Sequence, residues 1–172
     1  MTQIVEAMSD AHLDDVRTLM LAFVSWHRER HLEDPHLIDQ YFDPAAFDRE
    51  LATLPGAYAP PHGRLLLATC EGAPAGCVAL RAIDEVTCEM KRMFVHPHLR
   101  GRGIGRALAD ALIRDARAIG YRSMLLDTSI RQVEARTLYE RLGFTVIAPY
   151  YELPQAMADW LVFMELPLGG RP

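Results

Sequence analysis

Cysteine is scarce in this chain: the three present are Cys70, Cys77 and Cys88. Their number is odd and no pair has C-x-x-C spacing, so neither a disulfide framework nor a zinc site is indicated. Reduced, buried thiols of a cytoplasmic protein are the expectation. Long apolar runs are missing too. None approaches the roughly 18 residues of a bilayer span, so no membrane segment is expected. The opening residues, MTQIVEAMSDAHLDD, place acidic side chains where a secretory leader would be basic and then apolar. There is no basic excess: the net charge is −5, which leaves no global footprint for nucleic acid. No internal repeat or low-complexity linker occurs. No G-x-x-x-x-G-K-[S/T] string occurs either, which removes a P-loop. His27 and His31 stand four apart in HRERH, but Arg28 takes the place of glutamate and no third ligand accompanies them. No metal is expected.

What is present fits one soluble domain spanning residues 1–172. Half of the 172 residues are hydrophobic and 24% are charged, enough for a single core. Residues 3–8 read as a short strand. Ser9 or Asp10 can cap a helix whose apolar positions Leu13, Val16, Met20, Phe23, Val24 and His27 follow helical spacing. PAAFDRELATL reads as a second short helix with Pro44 in its first turn. RLLLATC and AGCVALRAI read as strands joined by a hairpin turn at EGAP. VTCEMKRMFV is a third strand, which His96-Pro97 terminates. A helix carrying Ile104, Leu108, Ala111, Leu112 and Ile119 ends at Gly120. SMLLD is the continuous apolar run of a buried parallel strand. A further helix carries Ala135, Leu138, Tyr139 and Leu142 and stops at Gly143, and FTVIA and WLVFMEL follow as strands. This order describes a mixed α/β domain with at least one parallel crossover.

Residues 98–108, HLRGRGIGRAL, gather three glycines and three arginines between a strand and a helix. A dinucleotide fingerprint G-x-G-x-x-G fails, because the position of its third glycine is Arg106 and the stretch lies mid-chain. An anion site at a helix start fits better. First-turn N–H groups lack partners, the helix dipole favours negative charge, and the missing side chains at Gly101, Gly103 and Gly105 admit a phosphate to the backbone. Arg100, Arg102 and Arg106 can add charge. A tight turn with solvated arginines is the alternative.

Arg100-Gly101-Arg102-Gly103-Ile104-Gly105 matches [Q/R]-x-x-G-x-[G/A], and ARTLYERLGF matches A-x-x-L-Y-x-x-L-G-F farther along. With CEMKRMFVHPHLRGRGIG they cover residues 86–146, and this segment resembles the cofactor-binding core of the GNAT-type N-acetyltransferases. The resemblance implies a central, mostly antiparallel sheet of six to seven strands, splayed at strands 4 and 5 and flanked by about four helices. It also implies that the glycine loop holds the pyrophosphate of coenzyme A, as acetyl-CoA. The implied contacts are Met93, Phe94 and Val95 on the preceding strand, Arg100, Gly101, Arg102, Gly103, Ile104, Gly105 and Arg106 in the loop, and Arg141. One position departs from the pattern. Where the family often carries Asn, seven residues before the motif tyrosine, this chain has Gln132, whose contact stays unassigned.

The implied reaction is direct acetyl transfer from a thioester to an amine of a small molecule, amino acid or peptide. The amine must be neutral to attack. With a pKa near ~10, its deprotonation at neutral pH costs about 4 kcal/mol, so a base or water chain is needed. Glu89 is the candidate base. The alternative is a strand carboxylate paired with Lys91 or Arg92, and strand parity does not decide, because a bulge would exchange faces. Backbone N–H groups around Phe94 and Val95 are expected to stabilise the oxyanion. Tyr139 matches the family's general acid, although its spacing alone reads as a core tyrosine. Arg141 reaches a phosphate or faces solvent. Residues 20–45 and 149–160 are left to build the acceptor side, with Trp26, His27, Tyr150 and Tyr151 as candidates beside His31 and Tyr41. An acyl-CoA-binding sensor without turnover, and transfer of another acyl group, are the competing readings. The expected partner is a small-molecule or peptide amine. A homodimer is left open, and neither nucleic acid nor a membrane is expected.

Overall fold

The computed structural model describes residues 1–169. Along the chain run β1 (Thr2–Glu6), α1 (Asp10–Arg30), α2 (Pro35–Tyr41), α3 (Pro44–Ala52), β2 (Arg64–Cys70), β3 (Ala73–Ala82) and β4 (Thr87–Val95). They are followed by α4 (Ile104–Ile119), β5 (Ser123–Ser129), α5 (Val133–Leu142), β6 (Thr145–Ile147), α6 (Gln155–Trp160) and β7 (Leu161–Pro167). The strands form one seven-stranded sheet in the order β1-β2-β3-β4-β5-β7-β6. Neighbours are antiparallel except β4 and β5. The described residues hold six α-helices rather than about four. The two that periodicity does not reveal, α2 and α6, have seven and six residues, too short to show a repeat. Tertiary burial holds them: α2 buries Leu37 and Ile38, and α6 buries Met157 and Trp160. Trp160 therefore ends a helix instead of opening the last strand.

The sheet is covered on both faces. Along β2, Leu65 and Leu67 join the core under α1, α2 and α3, while Leu66 and Ala68 join the core under α4. Ser9 caps α1 by accepting the His12 N–H at 3.2 Å, and α4 and α5 stop at Gly120 and Gly143.

Two features of β4 position the site. The first is its parting from β5. The parallel ladder holds only Thr87 to Ser123, Cys88 to Met124 and Glu89 to Leu125. Beyond Glu89, β4 stays with β3 as far as Val95, and β5 stays with β7 as far as Ser129. The second is a bulge. Cys77 and Ala79 on β3 face Phe94 and Lys91 on β4, so β4 carries one extra residue there. Arg92 sits in the bulge with a φ of 57°. Alternation is interrupted accordingly: Met90 belongs to the α4-side core and Phe94 to the α1-side core.

A non-glycine residue at such a φ needs external support. Arg92 donates to both oxygens of Glu50, at 3.0 and 2.6 Å, and lies over the rings of Phe42 and Phe47. Tyr58 also donates to Glu50, at 2.5 Å. Burial pushes the Glu50 carboxyl up, but the hydrogen bonds from Arg92 and Tyr58 and the charge of Arg92 outweigh it, and the net shift is downward. This stabilisation is whole above the ordinary glutamate pKa and is lost as pH falls through the lowered folded value. Glu50→Gln is expected to cost about 3 kcal/mol, the lower end for a broken buried pair, because Glu50 keeps 20% exposure and Arg92 11%. Urea unfolding checks this; a loss under about 1 kcal/mol would show that Arg92 is held by its aromatic neighbours instead.

Candidate active site

Gly103 is the N-cap of α4, with a φ of 79°. The first helical hydrogen bond runs from the Ala107 N–H to the Gly103 carbonyl, at 3.0 Å. The amides of Ile104, Gly105 and Arg106 therefore have no partner within the helix. A Cβ at Gly101 or Gly103 would meet nothing within 4 Å, so both glycines border open space. That space is a groove of about 430 Å³ between the end of β4, the α4 start and α5. Met93, Phe94, Val95, Arg100, Gly101, Gly103, Ile104, Gly105, Arg106 and Arg141 all line it. Arg102 does not; it is exposed. Arg100 donates to the Val95 carbonyl at 3.1 Å and lies 4.1 Å from the centre of the Trp26 ring. Trp26 thus borders this groove, apart from the late tyrosines with which the sequence grouped it. Arg106 pairs with Asp110 at 2.9 Å.

Where β4 and β5 part, a narrow cavity of about 50 Å³ opens between Met90–Met93 and Leu126–Ser129. Tyr41, Tyr139, Gln132 and Trp160 help to close it. It shares Met93 and Gln132 with the groove, and Lys91 and Asp127 with an outer pocket of about 300 Å³. Groove, cavity and pocket therefore adjoin one another along the parting of β4 and β5.

Tyr139 is buried on this cavity. Burial, and then the charge of Asp127, push its phenol well above the ordinary value. Asp127 accepts from the hydroxyls of Tyr41 and Tyr151, the latter at 2.7 Å. No cation among the described residues pairs with it. Glu89 is differently placed. It is 2% exposed and lines the outer pocket, not the cavity. One of its oxygens receives Arg81 at 2.9 Å and Lys91 at 3.4 Å, and the other accepts from Tyr150 at 2.8 Å. Of the two partners expected for Glu89, Lys91 is present, while Arg92 is committed to Glu50.

His27 is buried, with the Gln132 amide nitrogen 3.1 Å from each ring nitrogen. Burial, and then the neighbouring His31 imidazole and the guanidiniums of Arg92, Arg100 and Arg30, hold its pKa down to about 3, so the ring is neutral. His31 Nδ1 faces the His27 carbonyl at 2.8 Å and must donate, which leaves Nε2 to accept from the Ser129 hydroxyl at 2.7 Å. His27 also lines the narrow cavity, and His31 does not. Among the described residues no three His, Cys, Asp or Glu side chains converge as metal ligands. No helix among the described residues is long and apolar enough to cross a membrane.

Asp127 and the position of Lys91 escape a reading of the sequence as site residues. The available signal was a carboxylate closing the apolar run SMLLD, at the carboxyl end of a strand beside a parting of the sheet, where open sheets bind ligands.

A family model described as the acetyltransferase (GNAT) family matches residues 19–144. The chain belongs to the GNAT acetyltransferase family. This acetyltransferase is 41% identical over 109 residues to an uncharacterised N-acetyltransferase of Schizosaccharomyces pombe, covering 62% of this chain and 67% of the relative. It is 39% identical over 112 residues to an IAA acetyltransferase of Azospirillum brasilense, covering 64% and 71%. Its fold is similar to that of the PaiA N-acetyltransferase of Thermoplasma acidophilum, solved in complex with coenzyme A. There the TM-score is 0.72 at 15% identity, over 97% of this chain and 99% of the other. The parted sheet is thus the family's fold, and the acetyltransferase is an acyl-transferring enzyme.

Proposed function

We propose that this enzyme moves the acetyl group of acetyl-CoA to the amine of a small molecule, amino acid or peptide. The observation that carries the reading is an anion-receptive groove and a polar outer pocket that flank one cavity at the parting of β4 and β5. The groove fits the cosubstrate. It offers unpartnered first-turn amides with Arg106 and Arg141 for a pyrophosphate, and the side of β4 from Met93 to Val95 for an extended arm. The coenzyme A complex of the Thermoplasma relative supports the same fit.

When bound, acetyl-CoA supplies an acyl thioester. Backbone N–H groups around Phe94 and Val95 polarise its carbonyl. Tyr139, protonated at every working pH, donates to the departing sulfur. Removal of the amine's proton falls to Asp127, which shares the cavity with Tyr139 and carries no cation. Glu89 was the sequence's candidate for that task. Glu89 lines the outer pocket and not the cavity that holds Tyr139, and its oxygens are taken by Arg81, Lys91 and Tyr150, so its role is to order that pocket.

Acetyl-CoA at 100 times its dissociation constant is expected to add about 2.7 kcal/mol of apparent stability, read as a rise in Tm. NAD and ATP, lacking the pantetheine arm, should add less. Equal stabilisation by NAD would overturn the coenzyme A assignment.

A further inference from the structure

The outer pocket is neutral overall but its charges are unevenly matched. Arg81 and Lys91 face Glu89 together, two cations on one carboxylate. Asp127, in the same pocket, receives only phenol hydroxyls. One side therefore carries a surplus positive charge and the other an uncompensated negative one. Lys91 and Asp127 mark the two poles. Tyr41 stands between them: its hydroxyl donates to Asp127, and the Lys91 ammonium lies 5.7 Å from its ring centre. Both poles also reach the narrow cavity.

Resting on the acetyltransferase reading, we infer that the acceptor is an amino acid with its carboxylate free. Its ammonium is received at Asp127 and its carboxylate at Lys91. A simple amine leaves the Lys91 side unmatched, and a diamine brings a second cation against Lys91 and Arg81. The volume of about 300 Å³ accommodates a single amino acid. Lys91 acts here as a specificity residue. Its side chain is 15% exposed, and a charge-assisted contact with a carboxylate is stronger in such a partly desolvated place.

The test is thiol release from acetyl-CoA with three matched sets: the protein amino acids, their carboxamides and their decarboxylated amines. The best amino acid is expected to exceed its carboxamide and its amine about 10- to 100-fold in kcat/KM, the range of a hydrogen bond to a charged group. Lys91→Met should bring that ratio close to one, and Lys91→Arg should restore most of it. Equal turnover of all three sets by the unmodified enzyme overturns the inference. So does a ratio that survives Lys91→Met in a variant with normal Tm. Failure of every amino acid in a protein that acetyl-CoA still stabilises overturns it too, and leaves the cosubstrate assignment standing. Absence of that stabilisation removes the cosubstrate assignment itself.

Discussion

Gly103→Asp is expected to weaken coenzyme A binding about a thousandfold in a protein that still folds. Gly103 has a left-handed φ of 79°. Aspartate and asparagine are the side chains that tolerate this region best, at a cost of about 1–2 kcal/mol. No atom lies within 4 Å of the new Cβ, so packing is not disturbed. The carboxylate would stand where the unpartnered amides of α4 meet the groove. Like charges about 4 Å apart near a protein surface repel by about 4 kcal/mol, roughly three orders of magnitude in Kd. Gly103→Asn carries the same backbone cost and shape without the charge. Calorimetric titration of the two variants isolates the electrostatic part. Equal Kd values for Asp and Asn would place the pyrophosphate away from the α4 start.

Tyr139→Phe is expected to lower kcat by about 10²- to 10⁴-fold, the range of general acid–base roles. The Kd for acetyl-CoA should stay nearly unchanged. The phenyl ring preserves the packing on Phe144, 5.7 Å between centres, so the loss reports the hydroxyl alone. Because burial and Asp127 hold the phenol above its ordinary value, it stays protonated below about pH 10. The pH profile of the unmodified enzyme should therefore carry no alkaline limb from Tyr139 in that range. An unchanged kcat, measured where chemistry limits the rate, would return Tyr139 to a packing role.

The groove at the α4 start was legible because its signals are local. A strand stopped at His96-Pro97, a run of glycines and arginines and the apolar face of α4 lie within a short stretch of chain. The helix ends at Gly120 and Gly143 and the hairpin between β2 and β3 were legible for the same reason. The outer pocket was not. Tyr41, Asp127 and Tyr151 meet across long separations in sequence, and no periodicity announces such a meeting. Trp26 reads as an acceptor-side aromatic by its position in the chain, yet the guanidinium of Arg100 holds it on the groove. The bulge was invisible because Arg92 is not a glycine. What sustains its backbone is Glu50, on a different element.

Four consecutive residues of β4, Met90 to Met93, line the narrow cavity, and the bulge lies among them. Removing residue 92 by deletion would leave Lys91 followed by Met93 and Phe94 with their faces already correct, so the ladder to β3 would simply become regular. Position 92 is thus a place where β4 could lose a residue without inverting its neighbours. The loss would fall on α3 instead: Glu50 would keep only the Tyr58 hydroxyl as a hydrogen-bond partner, while Arg81 and Lys91, the cations of the outer pocket, would stay in number as they are.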